Sequence, residues 1–185
     1  MPSLSETDRR LLLELARQSI AEAVSHQKPA LSFPRGGVFA EKLGVFVTLH
    51  LRGRLRGCIG VVEPYEALSK TVPHCAVSAA LQDPRFSAVR QEEVADLQIE
   101  ISLLSPLQPV RPEEVEIGKH GLLISNGPHR GLLLPQVAVE HKLAREPFLE
   151  ETCRKAGLPT NAWRQPETEI LGFTCEVFSE DAPQA

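Results

Sequence analysis

Leu11, Leu12, Leu15, Ile20, Ala23 and Val24 recur at helical spacing behind Ser5 and Asp8, a pair three residues apart that reads as a capping box. They predict an amphipathic helix running to about His26. Pro29, Pro34, Gly36 and Gly37 then break the pattern, so the stretch from Lys28 to Gly37 reads as a loop. The runs GVFVTLHL (44–51) and LRGCIGVV (55–62) are β-rich and separated by a short Arg-Gly-Arg turn, which predicts a hairpin. From Glu66 to about Leu81 the positions Leu68, Val72, Cys75, Ala76, Ala79 and Ala80 return to helical spacing, with Pro73 expected to kink or split the helix. After the DPRF loop (83–86), LQIEISLL (97–104) alternates: Leu97, Ile99, Ile101 and Leu103 fall on one face, Gln98, Glu100 and Ser102 on the other. That is the pattern of a half-buried strand.

The proline-rich connection SPLQPVRPEEV leads to GLLIS (121–125), the turn NGPHRG (126–131) and LLLPQVAV (132–139). These predict a second hairpin, with Pro135 marking an edge or an exit. Pro147 suits the first position of a helix and Gly157 the position just past its end, so a short helix is expected over about 147–156. TEILGFTCEVF (168–178) reads as a closing strand. Strands thus arrive partly as hairpins and partly between helices. The fold class this implies is α+β, mixed but mainly antiparallel sheets with flanking helices, rather than a doubly wound parallel sheet.

With 185 residues, 42% hydrophobic and 24% charged, the chain can bury a sizeable core as one domain or two small ones. Twenty Lys plus Arg against 24 Asp plus Glu leave a net charge of -4, the wrong sign for coating a phosphate backbone, so bulk nucleic-acid binding is set aside. Neither a leader pattern nor an apolar run long enough to span a bilayer stands out, which makes a cytoplasmic protein the expectation. Cys58, Cys75, Cys153 and Cys175 lie far apart and form no CxxC pair, so reduced thiols are the simpler reading.

The densest cluster for chemistry is RGRLRGCIG (52–60). Strand alternation puts Arg56, Cys58 and Gly60 on one face, and side chains two residues apart on such a face are roughly 7 Å from each other. Arg56 would then favour a thiolate at Cys58 and make it a nucleophile or a redox-sensitive residue. Gly57 and Gly60 remove bulk where a ligand or another backbone must come close. The competing reading is a packed cysteine acting as a small hydrophobe in a bulged hairpin, with solvated arginines at the turn. Six histidines are scattered, and none has a diagnostic spacing to Cys58; a tight hairpin sets Thr48 or Leu49 opposite Cys58, not His50. No HxxxH, HExxH or Cys/His cluster suggests a metal, and neither a P-loop nor a GxGxxG follows a strand. Glu100 sits either on a solvated sheet face or in a polar cleft as a general base or cation anchor. Asp83 and Arg85 are expected to pair and fix their loop, with Phe86 buried as its anchor.

At LRGCIG (55–60) the sequence resembles the AMMECR domain family, whose prokaryotic members are called AmmeMemoRadiSam system protein A. The likeness continues through FVTL, AALQDPRF, IEISLL, GKHGLLI, RGLLLPQVA, FLEETCRKAGL and CEVFSE, covering residues 5–180 and leaving 1–4 and 181–185 as tails. The resemblance implies two closely packed subdomains around a cleft, with the RGCIG hairpin as the functional centre. Position by position, Arg56, Gly57, Cys58 and Gly60 match RGCIG, Asp83, Arg85 and Phe86 match DPRF, Glu100 and Ser102 match the following strand, and Gly131 and Gln136 match GLLLPQ. One departure lies near Leu143, where the family typically has a Trp. The implied context is a modification system with a Memo-type protein and a radical SAM protein as partners, acting on an unidentified substrate. An iron–sulfur cluster and S-adenosylmethionine would belong to the radical SAM partner, and no cofactor is expected in this chain. Two roles stay open: an enzyme-like component with Cys58 as thiol, Arg56 as activator or anion clamp and Glu100 as acid/base, the site being completed by Gly57, Gly60, Asp83, Arg85, Ser102 and Gln136; or a non-catalytic module that binds a partner or a small ligand.

Overall fold

A computed structural model of the chain describes residues 4–25 and 36–180. His26, most of the expected 28–37 loop, residues 1–3 and the 181–185 tail lie outside the described residues. The chain divides into two compact units, one formed by Met1–Leu104 with Glu176–Ala185 and the other by Ser105–Cys175.

The first unit opens with helix α1 (Glu6–Val24), started by the expected capping box: Asp8 N–H donates to Ser5 Oγ, and Ser5 N–H donates to Asp8 Oδ2, each at 3.1 Å. Strands β1 (Val45–Leu51) and β2 (Arg54–Val61) form an antiparallel hairpin. Arg52 and Gly53 both have positive φ, 52° and 73°, as a two-residue turn that matches strand twist requires. The register pairs Leu49 with Gly57 but His50 with Leu55, so Arg56 is an extra residue in a bulge.

Helix α2 (Leu68–Leu81) runs unbroken through Pro73. The expected split does not occur, since proline removes one backbone bond while Val72, Cys75, Ala76, Ala79 and Ala80 are all buried along the helix and hold it. Strand β3 (Leu97–Leu104) pairs with the free edge of β1, with the predicted bounds. Val45, Val47, Leu49, Ile99, Ile101 and Leu103 are buried in one cluster with residues of α1 and α2. The opposite face carries Phe46, Thr48, His50, Cys58, Gly60, Gln98, Glu100 and Ser102. All of these are half-buried except Ser102, which is 1% exposed and so is not on a solvated face.

In the second unit, β4 (Gln108–Pro109) is two residues long, and β5 (His120–Asn126) turns through Gly127 and Pro128 into β6 (His129–Leu133). The apolar run after β6 does not continue as a strand: Pro135 begins helix α3 (Pro135–Glu140). Its fixed φ and missing donor suit a first helical position, and this overrode the strand-like look of LLLPQVAV. Helix α4 (Arg145–Lys155) starts two residues earlier than expected and ends before Gly157, whose φ of +73° closes it. Strand β7 (Glu169–Ser179) pairs antiparallel with β5 on one side and β4 on the other. From Glu176 onward it belongs to the first unit, where the strand order is β2-β1-β3-β7. Leu122, Ile124, Phe148, Leu149, Cys153 and Ile170 form the second core. The β1–β2, β1–β3, β4–β7, β5–β6 and β5–β7 pairings are antiparallel, with helices alongside, which is the α+β class.

Candidate functional site

Cys58 lies in β2, the edge strand, opposite Thr48 of β1. A pair with this register leaves the N–H and C=O of one member pointing away from the sheet. Both are caught by the loop that follows α2. Cys58 N–H donates to Asp83 Oδ2 at 2.9 Å, and Arg85 Nη2 donates to the Cys58 carbonyl at 3.3 Å. Asp83 is 4% exposed and also accepts from Arg85 N–H (3.1 Å), Nε (3.0 Å) and Nη2 (2.7 Å). These bonds, the Arg85 guanidinium first, hold its carboxyl well below the usual carboxylate range against the opposing effect of burial. Asp83 in turn raises Arg85, and the Cys58 side chain adds to that rise. Arg85 lies 5.4 Å from the Phe86 ring centroid. Phe86 is half-buried and is not the buried anchor expected; Val89, 4% exposed, is.

The Cys58 thiol accepts a hydrogen bond from Thr48 Oγ1 at 3.3 Å. Arg56 is turned elsewhere: it donates through Nε and Nη2 to Glu93, both at 3.1 Å, and to the carbonyls of Ser87 and Ala88. Arg56 holds Glu93 at about 2, the Arg90 amide adds to this, and burial opposes it. The bulge explains the difference from simple alternation, because Arg56 is the residue without a partner in the register. The guanidinium bonded at Cys58 is therefore Arg85.

Across the sheet, Thr48 pairs with Cys58 on one side and Glu100 on the other, so the three form one row. The adjacent row is Gly60, Phe46 and Ser102. A Cβ on Gly60 would stand 2.3 Å from the Phe46 ring, and one on Gly57 would stand 2.2 Å from the Ala79 carbonyl oxygen of α2. Both glycines are thus required by close packing, by a side chain at Gly60 and by a helix backbone at Gly57. Gln136, in the first turn of α3, and Gly131, whose Cβ would meet the Ala156 backbone, belong to the second unit and are not in these rows.

Cys75 is fully buried on α2, and desolvation pushes its thiol up to about 11. Among the described residues, no group of three or more His, Cys, Asp or Glu is placed to hold a metal ion, and no helix is long and apolar enough to cross a membrane. The hairpin left Thr48 or Leu49 opposite Cys58, and the structure selects Thr48. The contributions of Arg85 and Glu93 were not, although a helix packed across β2 that ends just before DPRF was the available signal.

Residues 13–178 match the AMMECR1 family model. A protein from Methanothermobacter thermautotrophicus is 42% identical over an alignment covering 96% of this chain and 97% of that protein. Protein TK0174 from Thermococcus kodakarensis is 41% identical, covering 94% of this chain and 90% of its own. The crystal structure of the uncharacterized protein PH0010 from Pyrococcus horikoshii superimposes with a TM-score of 0.84 at 38% identity, over 93% of this chain and 91% of that one. Likeness of this extent in both sequence and fold, reaching across the Cys58 hairpin and the loop that clamps it, makes the chain a member of the AMMECR1 family.

Proposed function

We propose that this chain is a substrate-handling component of a modification system that includes a Memo-type protein and a radical SAM protein, with Cys58 as its thiol centre. Under this reading the iron–sulfur cluster and S-adenosylmethionine belong to the radical SAM partner. The observation that carries the proposal is the two-sided clamp: Asp83 and Arg85 fix the main chain of Cys58 on both sides, while the half-buried thiol meets the Thr48 hydroxyl. A cysteine serving only as filler needs neither a buried carboxylate nor a guanidinium at its own amide and carbonyl. Arg85, more than half exposed, stands where it can neutralise negative charge on Sγ or on a bound anion. Glu100, in the same row, is the acid/base group of the proposal.

The test is the alkylation rate of each cysteine against pH in the native protein, read by peptide mapping, in the wild type and in Arg85→Gln. The proposal expects Cys58 to react first and to slow several-fold in the variant. A Cys58 that stays inert until the protein unfolds would sink it, as would full function of the system in vivo with Cys58→Ser. Co-purification with either partner that survives Cys58→Ala, in the absence of thiol reactivity, would favour the non-catalytic module instead.

A further inference from the structure

Most buried and half-buried carboxylates of the first unit have side-chain partners, with Asp8 accepting from Ser5 and Glu22 from Gln18. Asp83 faces Arg85, Glu93 faces Arg56, Glu176 faces Arg9 at 2.8 Å, and Glu180 faces Arg17 at 2.6 Å. Glu100 breaks the pattern. It is half-buried in the middle of β3, and among the described residues its carboxyl group makes no hydrogen bond and no ion pair. Two residues along the same face, Ser102 is 1% exposed and its Oγ has no partner among the described residues. A fully buried hydroxyl without a partner, beside a half-buried carboxyl group that makes no bond to it, runs against the rule that buried polar groups are satisfied within the fold.

We infer that Glu100 and Ser102 form a subsite for a cationic hydrogen-bond donor, the ammonium or guanidinium group of a small molecule or side chain. A carboxylate accepts only, and a hydroxyl can accept, so the complementary ligand is one rich in donors. Cys58 stands in the same cross-strand row as Glu100 with Thr48 between, two strand spacings or roughly 10 Å away. A ligand whose cation docks at Glu100 can therefore lay its other end along the row toward the thiol. That last element rests on the thiol-centred reading above, whereas the cation subsite stands on the two unpaired groups alone.

The experiment compares alkylation of Cys58 by N-(5-aminopentyl)iodoacetamide and by neutral N-pentyliodoacetamide, in the wild type and in Glu100→Gln and Ser102→Ala. The subsite predicts that the cationic reagent labels Cys58 about tenfold faster than the neutral one. It also predicts that this ratio falls to near one in Glu100→Gln and is reduced in Ser102→Ala. A ratio near one in the wild type, with Cys58 reactive to both reagents, overturns the subsite and leaves the thiol reading standing. If Cys58 reacts with neither, the thiol reading falls, and calorimetry with 1,5-diaminopentane decides the subsite independently. Binding to the wild type that weakens about tenfold in Glu100→Gln supports it, and absent or unchanged binding overturns it.

Discussion

Replacing Asp83 with Asn keeps the shape of the side chain and removes its charge, which isolates what the clamp on Cys58 contributes. The carboxylate accepts four hydrogen bonds, from Cys58 N–H, Arg85 N–H, Arg85 Nε and Arg85 Nη2. An amide in its place has one acceptor oxygen and must point its NH2 group at one pair of these donors. Arg85 is 54% exposed along its side chain and recovers hydration when released, so its share is small. The Cys58 N–H sits against a buried group, and leaving it unsatisfied costs about 1–3 kcal/mol. Together these give a destabilisation of about 2–3 kcal/mol and, for a chain of this size, a fall in Tm of roughly 4–12 °C.

The pH dependence follows from the depressed carboxyl. A group whose folded-state pKa lies below its unfolded value stabilises the fold above the unfolded value, about 3.9, and loses this contribution as pH falls toward the folded value. By pH 3 about 1.3 kcal/mol of the wild-type advantage should be gone. Urea unfolding followed by circular dichroism at pH 7, 5, 4 and 3 measures both quantities. A loss smaller than about 0.5 kcal/mol at pH 7, or a gap between wild type and variant that stays constant from pH 5 to pH 3, would refute the reasoning.

Other perturbations test the neighbouring parts. Arg56→Ala strands Glu93 in a site where both side chains of the pair are only 12% and 13% exposed, and should cost about 3 kcal/mol in the same assay. Since Arg56 holds Glu93 at about 2, the stability this pair supplies should be complete above the ordinary glutamate range and fade as pH drops toward 2. Gly57→Ala drives a methyl group into the Ala79 carbonyl and should destabilise by about 1–3 kcal/mol, seen as a lower midpoint with an unchanged slope in urea. The Cys75 thiol, fully buried and pushed up to about 11, should resist a disulfide reagent at pH 8 in the folded protein and react on unfolding, with mass spectrometry of the peptides assigning each thiol.

Much of the fold could be read along the chain because its signals are local. Strict alternation gave the bounds of β3, and the Arg-Gly-Arg turn between two β-rich runs gave the first hairpin, with the residue opposite Cys58 narrowed to Thr48 or Leu49. Failures came where a local signal had two solutions. LLLPQVAV is apolar enough for a strand, and only the role of Pro135 as a first helical residue separates β6 from α3. Pro73 breaks an isolated helix but not one fastened by a buried stripe. The site was half legible for a related reason. Cys58, Glu100 and Ser102 follow from strand periodicity, yet the partner of Cys58 lies in a loop 25 residues on, and that of Arg56 lies 37 residues on. A bulge of one residue, invisible to alternation, decides which arginine serves which acceptor.

The Asp83–Arg85 fork meets Cys58 as a neighbouring strand would, taking up its N–H and supplying a donor to its C=O. An open edge of this kind is a template on which a second molecule can add a strand and begin self-association. A real strand there would run the length of β2 and line the thiol with its own side chains. Two side chains instead occupy a single ladder position, which interrupts any intermolecular register passing through Cys58 while leaving the sulfur approachable. The same substitution that loosens the cysteine, Asp83→Asn, should therefore also make the protein stickier, with light scattering rising with concentration. A variant that stays monodisperse at concentrations where the wild type does would show that the edge is guarded by something else.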